Sequence, residues 1–136
     1  MKRHVCAAMI VAAIVLSAAG ITEAASYPDM VGVWSGFESF VGWNAGGDPQ
    51  FYYVGFEWSM EILDQDPATG NFYGVRDGRP FTGNVSTSKV VTIIEHGGSG
   101  DFRILNCKLT GKKLIGTMLH YRSDQIDTGT FTFYKQ

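Results

Sequence analysis

The chain has 136 residues, a formal net charge of −2 and a hydrophobic fraction of 45%. That length fits one domain, and the slightly acidic balance argues against nucleic acid and anionic membrane surfaces as partners. It carries only two cysteines, Cys6 and Cys107, and no run of like charge.

The first 24 residues read as a secretory signal peptide. Lys2, Arg3 and His4 form a basic start, residues 5–19 are almost wholly apolar, and Thr22-Glu23-Ala24 places small residues where a signal peptidase reads them. The apolar run falls short of the ~20 residues that span a bilayer, so a retained membrane helix is not expected. The expected product is a secreted or periplasmic protein, cleaved after Ala24, with a single domain over 25–136 that is not membrane-embedded. Losing Lys2, Arg3 and Glu23 from 11 basic and 13 acidic side chains leaves 9 and 12, a net charge of −3. Cys6 leaves with the signal, so no intramolecular disulfide can form and packing alone must hold the fold.

The remainder divides into short runs rich in Val, Ile, Thr, Phe and Tyr, separated by Gly, Asp, Asn and Pro, the pattern of strands and turns. The first run covers 30–41. If Trp34 points inward, period two also turns Gly32, Gly36, Glu38 and Phe40 inward. Glu38 then lies near a barrel mouth, where a carboxylate can hold a cationic or hydroxylated ligand; alternatively the strand bends at Gly36 and Glu38 meets solvent. Phe40, Trp43, Phe51, Tyr52 and Tyr53 read as an aromatic loop with 44–49 at its tip. It serves as a binding lid, a cap on the core or a subunit contact.

The second run, 52–64, alternates Val54, Phe56, Trp58, Met60 and Ile62 with Gly55, Glu57, Ser59 and Glu61, one face to a core and one to water. Trp58 lines a cavity or fills the core. Runs 70–76 and 80–86 follow, joined through Asp77-Gly78, a pairing favoured in two-residue hairpins. Runs 89–96 and 101–109 meet across the glycine-rich stretch 96–101. Leu105, Cys107 and Leu109 share a face, so Cys107 reads as a buried, inert thiol. Run 113–121 follows a turn at Gly111, 122–127 reads as a polar loop, and 128–135 closes the chain. A recurring glycine echo (Gly70 to Gly74, Gly83, Gly111 to Gly116) reads as relief of crowding where barrel strands bend.

Eight strands joined in sequence by tight turns pair antiparallel with their neighbours, and closure removes the exposed edges. The predicted fold is all-β: an eight-stranded antiparallel up-and-down meander barrel.

Gly32-Val33-Trp34 resembles the Gly-x-Trp step that opens lipocalin and avidin barrels, and the Thr- and Phe-rich strand from Thr128 to Lys135 is similar to their last strand. The resemblance implies that Trp34 plugs one end of the barrel, that the glycine makes room for it, and that the scaffold holds a ligand. The biotin site of avidins does not carry over, because Ser35, Gly36, Phe37 and Glu38 stand where that family places its ureido-binding Asn and Ser.

No metal, cofactor or catalysis is expected. His96, His120, Cys107, Met118 and Asp101 fit no ligand spacing. Asp64-Gln65-Asp66 fails as a calcium loop at Ala68 and Thr69. Gly98-Ser99-Gly100 has no base in view. The expected function is that of an exported binding barrel for a small, largely apolar ligand, with Glu38, Trp43, Tyr53, Phe56 and Trp58 lining or gating the mouth. The alternative is a filled barrel that works as a homo-oligomer or against another exported protein. It is motivated by apolar residues on both faces of the later strands: Val90 and Val91, Ile93 and Ile94, Leu114 and Ile115, Met118 and Leu119.

Overall fold

The computed structural model describes residues 26–43, 49–122 and 125–136, with residue 43 and residues 49–56 described by backbone alone. The expected signal peptide and the loop tip 44–48 lie outside the described residues. Eight strands follow in order: β1 (Gly32–Trp43), β2 (Pro49–Gln65), β3 (Asn71–Arg76), β4 (Arg79–Val85), β5 (Val90–Gly98), β6 (Asp101–Thr110), β7 (Lys113–Arg122) and β8 (Gln125–Lys135). They form a closed barrel in chain order, every neighbouring pair antiparallel, with β1 pairing β8 to complete the ring. This is the predicted meander, compatible with a calycin-like fold.

Two expected loops are strand instead. β1 and β2 stay in register beyond the bulge between Glu38 and Phe40, pairing Phe40 with Tyr52, Val41 with Phe51 and Trp43 with Pro49. The expected aromatic loop is therefore a continued ladder; aromatic residues suit a pleated surface, and pairing satisfies backbone groups that a loop would leave to water. Likewise Gln125, Ile126 and Asp127 pair with Arg122, Tyr121 and His120, so residues 122 and 125–127 of the expected polar loop are strand. The Asp77-Gly78 turn matches its sequence signal, with both residues at positive φ, 49° and 74°.

One end of the barrel is closed. Trp34 is 1% exposed and its Nε1–H donates to the Met30 carbonyl at 2.8 Å. Gln65 ties down the incoming chain: its Oε1 accepts from the Met30 amide and its Nε2 donates to the Pro28 carbonyl. Trp34 thus lies buried at this end, bonded to the incoming chain. Gly32 does not make room for it; its φ of 127° sets the entry of the chain, and a Cβ there would face Lys135.

Above Trp34 the interior is filled by Met60, Ile62, Phe72, Phe81, Ile93 and Phe133 among others. Each such side chain contributes about 1.5–3 kcal/mol when fully buried. Glycines let the aromatics fit. Phe72 pairs with Gly83 and Phe81 with Gly74, and a Cβ on either glycine would strike the opposing ring. Cys107 is buried and its thiol is pushed up to about 12 by desolvation, so it is inert as expected.

Candidate functional site

The site is built by one pattern repeated on six of the eight strands: the inward row runs from apolar at the closed end to charged at the other. On β3 Phe72 and Gly74 lead to Arg76; on β5 Val91 and Ile93 lead to Glu95. On β6 Leu109, Cys107 and Leu105 lead to Arg103, and on β7 Leu114 and Met118 lead to His120. On β8 Phe133 and Phe131 lead to Asp127, and on β1 Trp34 and Gly36 lead to Glu38. Period two therefore gathers these polar side chains at the mouth, where β1, β3, β5 and β7 end and the others begin.

Arg76 holds the centre. Its Nη1 donates to Glu38 Oε1 at 2.9 Å, while Nε and Nη2 engage both oxygens of Glu95 at 2.6 and 3.1 Å. All three side chains are at most 4% exposed. Trp58 lies against this group, with Arg76 Cζ 4.4 Å and Arg103 Cζ 5.0 Å from its ring centroid, within cation–π range. Burial raises the Glu38 and Glu95 carboxyls above their ordinary range, outweighing the opposing pull of Arg76.

A rim of charge pairs surrounds the centre. Arg79 meets Asp101 at 3.2 Å, and Arg122 meets Asp127 at 2.5 Å. His120 lies between the two carboxylates, Nε2 at 2.8 Å from Asp101 and Nδ1 at 3.6 Å from Asp127. Burial lowers His120 below the ordinary imidazole range against the pull of Asp101. Burial also works to raise Asp101, but His120 and Arg79 beside it prevail and leave its carboxyl low. Two glycines make space for the rim: a Cβ on Gly42 would occupy the Asp127 carboxyl, and one on Gly97 would lie 2.7 Å from that of Asp101.

Two cavities open here. One of about 230 Å³ is bordered by Glu38, Trp58, Arg103, Met118, His120 and Asp127. The other, about 220 Å³, is bordered by Trp58, Arg76, Glu95 and Arg103. Trp58 and Arg103 thus stand between them. Among the described residues, four buried polar atoms have no hydrogen-bond partner: Glu38 Oε2, Trp58 Nε1, and Arg103 Nε and Nη1. All four belong to residues bordering the larger cavity.

The structure brings Glu38 and Trp58 together, and Glu38 points inward rather than to solvent. Trp34 sits at the closed end. Phe56 is in register with Glu38, and Trp43 and Tyr53 are on β1 and β2; the side chains of these three lie outside the described residues. Sequence reasoning missed Arg76, Glu95, Arg103 and Asp127, and weighed His120 only as a metal ligand, whereas it lies between two carboxylates. Continuing each apolar row toward its turn, by two residues on β3, β5, β6 and β7 and by four on β8 past Gly129, would have found them. Among the described residues no three His, Cys, Asp or Glu side chains are arranged to hold a metal ion. The chain matches no protein-family model, no curated protein and no solved structure.

Proposed function

We propose that this protein is an exported, calycin-type binding barrel that takes a small polar ligand at its mouth and performs no catalysis. The observation that carries this reading is the set of four unpartnered buried polar atoms beside a cavity. Leaving a buried donor or acceptor unmade costs about 1–3 kcal/mol each. A ligand that engages them recovers that cost, and this favours binding over mere filling. The same chemistry replaces the largely apolar ligand of the sequence reading with a polar one. Trp58, Glu38 and Arg103 contact the ligand; Arg76 and Glu95 hold Trp58 and Glu38 in place. Native mass spectrometry of the protein purified from its own host tests this. A discrete added mass, lost on denaturation, is expected; a bare chain mass speaks against the reading.

A second reading, self-assembly, has its own support on the outer wall. Ile94, Ile104, Leu119, Thr128 and Val41 form one cross-strand row from β5 round to β1. Val90, Ile94, Ile115, Leu119 and Phe37 are exposed. Uncharged apolar rows on a barrel exterior suit contact with a second protein surface. Sedimentation of the purified protein separates an oligomer from a monomer.

A further inference from the structure

Resting on the reading of the mouth as a ligand site, we infer that its ligand is an electroneutral polyhydroxyl compound of single-ring size, such as a monosaccharide or an inositol, and not an anion. Counter-charge and hydrogen bonding at the mouth separate cleanly. Every arginine there already faces a carboxylate: Arg76 faces Glu38 and Glu95, Arg79 faces Asp101, Arg103 faces Glu38, and Arg122 faces Asp127. An anionic ligand would compete with a carboxylate built into the barrel. What the mouth lacks is hydrogen-bond partners.

The missing partners have a definite pattern: three donors, Trp58 Nε1 and Arg103 Nε and Nη1, and one acceptor, Glu38 Oε2. Within a guanidinium, Nε–H and Nη1 lie on different edges, with Cδ between them. One carboxylate therefore cannot take both in the side-on fork it prefers. Two separate acceptor oxygens can. Glu38 Oε2 and Arg103 Nη1 are 3.6 Å apart, near enough for one hydroxyl to touch both. That hydroxyl donates to the carboxylate and accepts from the guanidinium, using both capacities of the group. A neighbouring hydroxyl accepts from Trp58 Nε1. A diol supplies both without adding charge. The 230 Å³ cavity falls below the roughly 300 Å³ at which drug-sized sites begin, which limits the ligand to about one ring.

The test is isothermal titration of the purified protein with a panel of hexoses, pentoses and inositols, set beside acetate and inorganic phosphate. Two mild variants accompany it. Trp58→Phe keeps an aromatic ring and removes Nε1–H; Arg103→Lys keeps the charge and removes the guanidinium's Nε–H and Nη1. Saturable binding of at least one sugar or inositol is expected, weakened about tenfold or more by either variant, with circular dichroism unchanged. Binding of acetate or phosphate in place of the polyols, surviving Arg103→Lys, overturns the ligand class and leaves the mouth as a ligand site. Polyol binding that neither variant weakens overturns the placement. No binding by any probe, together with a bare mass from the host, overturns both readings.

Discussion

Glu38 Oε2 lies 3.6 Å from Arg103 Nη1, close enough to pair as charges and too far to share a proton. The other oxygen of Glu38 is committed to Arg76 at 2.9 Å. The mouth is therefore rigid on its Arg76 side and open on its Arg103 side, and the two sides respond differently to substitution.

Removing Arg76 strands two buried carboxylates. Arg76→Met is expected to cost about 3–5 kcal/mol, because breaking a buried pair leaves uncompensated charge. Adding Glu38→Gln and Glu95→Gln should return part of that loss, since the two carboxylates that Arg76 paired are then neutral, although Arg103 loses its counter-charge at Glu38. Urea unfolding of the single and triple variants measures both; a triple variant as unstable as the single contradicts the ion-pair assignment.

Gly83 and Gly74 hold space for rings. Gly83→Ala would drive a methyl into Phe72 and toward the Thr92 carbonyl, an overpacking that costs about 1–3 kcal/mol. Pairing it with Phe72→Leu should recover part of the loss. A double-mutant cycle by chemical denaturation reads the coupling, and strict additivity would show that the ring does not lie over the glycine.

Most of the architecture was legible in the sequence, for a physical reason. Strand and turn signals are local: Asp77-Gly78 needs only two residues to fix a hairpin, and Met60 and Ile62 need only alternation to find the core. The mouth was less legible because its residues come from all eight strands and meet only on closure. Arg76 and Glu95 are 19 residues apart and bond across the barrel interior. Charged residues near turns ordinarily belong to solvent, so Arg76, Arg103 and Asp127 looked unexceptional. Glu38 was found because Trp34 fixed the facing of its strand. The aromatics of 40–53 misled because the turn signal of 44–49 was extended over residues that pair as β1 and β2.

His120 makes stability depend on pH near neutrality. Its folded pKa lies below the ordinary 6.5, so between the two values the unfolded chain holds a proton that the folded chain does not. Stability then rises with pH through that window and falls on acidification. Glu38 and Glu95 act with the opposite sign: their folded pKa values lie above 4.5, and stability falls as pH rises through their window. Thermal melts from pH 5 to 7 should show a slope that His120→Gln makes less positive or more negative, because it removes the contribution of positive sign among His120, Glu38 and Glu95. An unchanged slope would place the responsible group elsewhere.

Cys107 should resist thiol reagents in the folded protein. Its thiol is buried and pushed up to about 12, which leaves little thiolate at neutral pH. Without residues 1–24 it is the sole cysteine, so Ellman's reagent should label one thiol in denaturant and almost none in buffer. Rapid labelling in buffer contradicts its place in the core.

The most direct test of ligand binding at the mouth uses the two described tryptophans as opposite probes. Trp58 Nε1–H faces the mouth without an acceptor, whereas Trp34 Nε1–H is bonded to Met30 at the closed end. Indole resonances of the ¹⁵N-labelled protein, recorded while the small-molecule fraction of its host is titrated in, report both ends at once. Binding at the mouth predicts that the Trp58 signal moves saturably and the Trp34 signal stays. A Trp58 signal that no fraction moves, or a Trp34 signal that moves alone, would contradict it.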